Sequence, residues 1–126
     1  MTPFGQRVRA LRAARGVTLA QMAGALGVTP AYLSALEHGK RGRPTFVLIQ
    51  GVIHVLGVIW DEADELVRLA DLSHPRVTVD TAGLDAEATL LANRLAREIA
   101  VLERDELKRL ADILDEAAIR RAAAPD

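Results

Sequence analysis

Gly27 and the residues on either side of it constrain this chain more than any other feature. Before it, Thr18, Leu19, Ala20 and Gln21 form a capping box, in which a threonine hydroxyl and a glutamine amide satisfy the first free backbone groups of a helix. Leu19, Met22, Ala23 and Leu26 then give that helix one apolar face. After it, Thr29 followed by Pro30 is a second helix start, a cap with proline at the first helical position. The chain must turn sharply between these helices, and glycine takes the left-handed conformation of such a helix end without steric cost. Ala23 is small enough to let the two helices approach.

The same punctuation divides the rest of the first 75 residues. Thr2-Pro3 opens a helix with Phe4, Val8 and Leu11 on its apolar side and arginines on the other, and Gly16 ends it. Leu33 and Leu36 face the core from the helix that starts at Thr29, which Gly39 closes. A loop of Lys40, Arg41, Gly42 and Arg43 follows, and Pro44 is read as the start of a fourth helix running to Gly57. A fifth is expected from Trp60-Asp61-Glu62, with Asp61 as its cap and Leu66, Leu69 and Ala70 inward, terminated by Ser73, His74 and Pro75. Phe46, Val47, Leu48, Ile49, Val52, Ile53, Val55, Leu56, Val58 and Ile59 leave the fourth helix almost no polar face, so it is expected to be buried nearly all round.

Beyond Pro75 residues 76–80 alternate like a short extended segment and residues 81–84 read as a loop. From Asp85 the chain is rich in Ala, Leu and Glu. Leu84, Ala88, Leu91, Leu95, Ile99 and Leu102 form one helical stripe, and Leu107, Leu110, Ile113, Leu114 and Ala117 a second. The expected architecture is all-α. A five-helix unit occupies residues 1–73, a linker 74–84, and a C-terminal helical segment for dimerisation or packing 85–122. Aromatics at 3% and an apolar half made mostly of Ala, Leu, Val and Ile favour helices over a β-sandwich.

Cysteine is absent, which excludes disulfides, thiolate metal sites and a cysteine nucleophile. His38, His54 and His74 lie on separate segments without ligand spacing, so neither metal nor cofactor is expected. Neither paired carboxylates in a cleft context nor a nucleophile–base set stands out, so the chain does not read as an enzyme. The start has no apolar signal region, and the longest apolar run, residues 46–60, is interrupted by Gln50, His54 and two glycines. It is also shorter than the ~20 residues of a membrane span. A cytoplasmic protein without a membrane partner is expected.

Net charge is only −1, but it is divided unevenly. Residues 1–45 hold seven basic residues against one acid, Glu37, and residues 46–126 hold nine against sixteen. A basic front on an acidic chain suits a small module that faces a polyanion, with the first-helix arginines and the loop neutralising phosphates.

The block from Val17 through Ala23-Gly24, Leu26-Gly27-Val28 and Leu36-Glu37-His38-Gly39-Lys40, with Pro44 downstream, resembles the lambda-repressor-like (Cro/cI, XRE) helix-turn-helix family. The resemblance covers about residues 4–70 without gaps. It implies that the third helix enters the major groove of double-stranded DNA. Leu33 and Leu36 being core, the outward residues are Pro30, Ala31, Tyr32, Ser34, Ala35 and His38. Ser34 can hydrogen-bond base edges, and Ala31 and Ala35 can pack on thymine methyls. Tyr32 is expected at a phosphate or sugar, or as a half-buried packing residue. Thr29 is expected at a phosphate by the helix start, and Lys40, Arg41 and Arg43 would hold the backbone. Glu37 reads as a structural acid. One position departs from the family: Leu19 stands where many relatives carry a phosphate-binding glutamine. A self-cleaving Ser–Lys peptidase unit, which some repressors of the family carry, does not fit a short helical tail.

The resemblance implies a transcriptional regulator, a repressor acting as a homodimer on a palindromic operator. The alternative is an antitoxin-like or adaptor module whose C-terminal helices bind a heterologous protein partner. Either the tail folds back over the fourth helix or a second subunit covers it.

Overall fold

Thr2 caps the first helix, its hydroxyl accepting the Gly5 N–H at 3.0 Å, and the same device recurs at Thr18, Thr29 and Thr45. A computed structural model of the chain describes residues 1–125. Its α-helices are α1 (Pro3–Arg15), α2 (Leu19–Leu26), α3 (Pro30–Glu37), α4 (Phe46–Leu56), α5 (Trp60–Asp71), α6 (Ala86–Glu98) and α7 (Arg104–Ala123), with a 3-10 turn over Ile99–Val101. Among the described residues there is no strand, so the all-α expectation holds. The chain separates into two compact units, Met1–Thr78 and Val79–Asp126.

In the first unit, Phe4, Val8 and Leu11 of α1, Met22 and Ala23 of α2, and Leu33 and Leu36 of α3 meet Leu48, Ile49, Val52 and Leu56 of α4 and Leu66 and Ala70 of α5 in one core. In α1, α2, α3 and α5 these are positions that the helical periodicity singles out; α4 is apolar on nearly every side, and packing decides which of its residues turn inward. Ser73 is buried with them. Its hydroxyl accepts the Phe4 N–H at 2.9 Å and donates to the Leu69 carbonyl, fastening the end of α5 to the start of α1. Gly5 is buried where α1 meets the end of α3: a Cβ there would lie 2.1 Å from the Glu37 carbonyl oxygen. Only glycine lets the two backbones come this close.

Three expectations are corrected. Helix α4 starts at Phe46 and not at Pro44, because Thr45 offers a hydroxyl that accepts the Leu48 N–H at 3.2 Å, whereas Arg43, the residue before Pro44, has no acceptor. Helix α5 starts at Trp60, with Ile59 at its cap position and no side-chain cap; Asp61 sits inside the first turn beside Glu62, where carboxylates complement the positive helix end. Nor is α4 buried all round. Its inner face packs on α1, α2 and α5, while Phe46 and Val47 in its first turn are 72% and 80% exposed.

In the second unit, Asp85 precedes α6 and the helix gives way at Ile99 to the 3-10 turn; α7 then begins behind a Glu103–Glu106 capping box. No described residue of α6 or α7 is buried. The second apolar stripe lies on α7, but of the first only Ala88, Leu91 and Leu95 lie on α6, since Leu84 precedes the helix and Ile99 and Leu102 fall in and after the 3-10 turn; Leu91, Ile99, Ile113 and Leu114 are exposed. Among the described residues no single helix is long and apolar enough to cross a membrane.

Candidate nucleic-acid interface

Helices α2 and α3 meet at 107°. Gly27 makes the turn in the left-handed conformation at φ 71°, and the Val28 N–H donates to the Ala23 carbonyl at 3.0 Å. Ala23 is fully buried at this crossing, so a larger side chain would push the helices apart. The apolar content of the pair is spent on the core through Met22, Ala23, Leu33 and Leu36.

The opposite side of α3 is the presented surface. Thr29, Pro30 and Ala31 are exposed, and Tyr32, Ser34 and Ala35 are half-buried. Thr29 spends its hydroxyl on the cap, accepting the Tyr32 N–H at 3.0 Å. His38 is exposed but folds back, its Nδ1 2.8 Å from the Ser34 carbonyl, so it braces the end of α3. Gln21, near the start of α2, accepts the Thr18 N–H at 2.9 Å and is likewise occupied by a cap. Leu19 is half-buried against the core.

The charges sort into held and free groups. Arg12 is not on an exposed basic face: its Nη2 donates to both Glu37 carboxylate oxygens, and both residues are buried. Arg7 pairs with Glu65 at 2.7 Å and lies 3.7 Å from Glu62, which Arg15 approaches at 3.8 Å. The first-helix arginines expected to face phosphate are therefore largely matched by acids of α3 and α5; the sequence interval between partners hid this. Arg43 pairs with Asp71 at the end of α5. Among the described residues Lys40 and Arg41 have no carboxylate partner, and both are exposed on the loop after α3. The Arg41 guanidinium lies over the Tyr32 ring, 5.4 Å from its centroid.

Thr29, Tyr32 and Arg41 thus come together, with Thr45 and Val47 of α4, around an open cavity of about 600 Å³. Ser34 and Ala35 lie further along α3, and Arg43 is drawn toward α5. Thr45 and Val47 add to the residues expected at this site from the sequence, where Pro44 is the more conspicuous helix start. Among the described residues no group of three His, Asp or Glu side chains is placed to hold a metal ion.

A family model described as a helix-turn-helix domain matches residues 3–73, which is all five helices of the first unit. The chain belongs to the helix-turn-helix domain family. The matched helix-turn-helix domain contains every candidate interface residue, so the resemblance carried by residues 17–44 is confirmed at the level of this family. Two Bacillus subtilis (strain 168) proteins are similar to it. One is an uncharacterized HTH-type transcriptional regulator, RghRB, 43% identical over 61 residues, or 48% of this chain and 44% of that protein. The other is the HTH-type transcriptional repressor RghR, 38% identical over 61 residues, or 48% and 45%. The chain spans less than half the length of these relatives. A chain from a solved SinR protein–SinI protein complex is 25% identical, covering 94% of this chain and 98% of that one, at a TM-score of 0.44.

Proposed function

We propose that this protein is a sequence-specific double-stranded DNA-binding transcriptional regulator of the cytoplasm, a repressor that acts without catalysis as a homodimer on a palindromic operator. The observation that carries the reading is α3 itself. It is held at 107° to α2, turns small side chains outward, and is followed by two basic residues that no carboxylate neutralises among the described residues. Small residues let the helix approach base edges, and free cations beside it supply sequence-independent grip. The names of the two relatives, a transcriptional regulator and a transcriptional repressor, support the same role.

In this reading residues 1–73 bind DNA through Thr29, Pro30, Ala31, Tyr32, Ser34, Ala35, His38, Lys40, Arg41 and Arg43. Residues 74–84 are a linker, and residues 85–122 pair two copies. Two copies on half-sites about one helical turn apart double the contact. The exposed stripes of α6 and α7 support a pairing role, since apolar helix faces of this extent are stable only when covered.

The test is selection of binding sites from random duplexes by the purified chain, followed by competition between the selected and scrambled sequences. Enrichment of a twofold-symmetric site is expected, with log affinity falling by ~0.9 per log unit of salt for each phosphate neutralised. No duplex binding at low salt, or binding without sequence enrichment, overturns the reading in favour of a protein-partner module.

A further inference from the structure

We infer that Tyr32 is a positioning residue: its ring holds the Arg41 guanidinium over the reading helix so that Arg41 grips a DNA phosphodiester. The inference rests on the DNA-binding reading and deepens it. The guanidinium lies 5.4 Å from the ring centroid, inside the ~6 Å range of a cation–π contact. Tyr32 is a suitable platform because its backbone N–H is bonded to Thr29 and its side chain is half-buried on α3. Arg41, by contrast, stands on a loop, where a long side chain is free to sample many rotamers.

The comparison with the other basic residues shows what the ring contributes. Arg7, Arg12, Arg15 and Arg43 each lie beside a carboxylate that offsets part of their charge, whereas Arg9 of α1 has no carboxylate partner among the described residues and no aromatic ring to orient it. An aromatic face orients a guanidinium without cancelling its charge. An aromatic ring accepts no more than a share of the five guanidinium N–H donors, so donors stay available to an incoming anion. Arg41 is therefore both ordered and fully charged before DNA arrives, and less conformational entropy is lost on contact. Arg41 and Tyr32 also share the cavity at the start of α3 with Thr29 and Thr45, which places the cation beside the groove-entering end of the helix and not out on a distant loop.

A double-mutant cycle on a fluorescent duplex of scrambled sequence tests this, because a phosphodiester grip is independent of sequence. Tyr32→Phe keeps the ring and should lose less binding than a variant without one. Tyr32→Leu should weaken binding about two- to fivefold. Arg41→Gln should weaken it further and lower the salt slope by ~0.9. In the Arg41→Gln background, Tyr32→Leu should then cost nothing more. In the free protein, the Arg41 side-chain proton resonances should be shifted upfield by the ring, keep that shift in Tyr32→Phe and lose it in Tyr32→Leu, with circular dichroism confirming the fold.

If Tyr32→Phe is as weak as Tyr32→Leu, the hydroxyl is itself the contact and the inference fails. Additive losses, or an Arg41→Gln effect seen only on a selected site, also overturn it. A wild-type chain that binds no duplex overturns the DNA reading and this inference together, whereas binding with an additive cycle overturns this inference alone.

Discussion

Arg12 on α1 donates from Nη2 to both carboxylate oxygens of Glu37 on α3, at 3.2 and 3.1 Å, and the pair lies inside the first unit with 9% and 4% exposure. The contact ties the first helix to the end of the reading helix. Burial removes both groups from water, so each depends on the other for its solvation. Among the described residues the Arg12 Nε has no hydrogen-bond partner.

Removing one partner should therefore be far worse than removing both. Glu37→Leu is expected to cost about 3–5 kcal/mol, since it leaves an uncompensated buried cation. Arg12→Met combined with Glu37→Leu should recover most of that loss, because apolar groups of similar volume need no partner. Urea denaturation of the two single variants and the double variant measures the cycle. A double-variant loss equal to the sum of the Arg12→Met and Glu37→Leu losses would show that the pair is not coupled.

Two glycines separate close approach from mere helix tolerance. A Cβ on Gly5 would meet the Glu37 carbonyl oxygen at 2.1 Å, so Gly5→Ala must push α1 away from α3 and should destabilise by at least about 1–3 kcal/mol. A Cβ on Gly24 meets nothing within 4 Å, and Gly24 stands inside α2. Gly24→Ala should instead stabilise by about 0.5–1 kcal/mol through helix propensity alone. Thermal unfolding of the two variants should therefore move in opposite directions, and a stabilised Gly5→Ala would disprove the close contact.

What could be read in advance follows the range of the interaction. Caps at Thr2, Thr18 and Thr29 and the turn at Gly27 are set by neighbouring residues, and all four are where the local signals place them. Core positions such as Val8, Met22, Leu33 and Leu66 follow from helical period. The pairing of Arg12 with Glu37, of Arg43 with Asp71 and of Phe4 with Ser73 joins residues 25, 28 and 69 positions apart, and nothing local marks either partner. Periodicity shows which side of a helix is polar; it does not show which acid the polar side meets. That is why α1 reads as a basic face in the sequence, whereas in the fold Arg7, Arg12 and Arg15 each lie beside an acid. At Pro44-Thr45 two start signals stand side by side, and the side-chain acceptor on Thr45 decides between them.

The pairing role proposed for the second unit predicts a dimer at micromolar concentration. Leu95 and Leu110 are half-buried within the stripes of α6 and α7, between the more exposed apolar residues that a covering partner would take from water. Leu95→Lys or Leu110→Lys would bury an unpaired charge at a cost of several kcal/mol, more than a small interface can absorb. Sedimentation should show a dimeric wild type and monomeric variants that retain the helicity of the first unit. A monomeric wild type would remove the pairing role and leave the stripes to a different protein.

Specificity should reside in the half-buried middle of α3. Ser34 and Ala35 follow one another on its outward side, and Ala31 lies one turn earlier than Ala35. Ser34→Ala removes at most one or two hydrogen bonds to a base edge, so the loss at a selected site should be about 1–3 kcal/mol. Scrambled DNA should be bound almost as before, because no phosphate-neutralising charge has been lost. Ala35→Glu should be more severe, since a carboxylate then enters a groove lined by phosphates, unless a cytosine amine meets it. Both side chains point away from Leu33 and Leu36, so circular dichroism should be unchanged in either variant. Competition between selected and scrambled duplexes is the deciding measurement. Wild-type discrimination in both variants would mean that α3 is not the reading helix, and that the basic loop binds DNA without choosing its sequence.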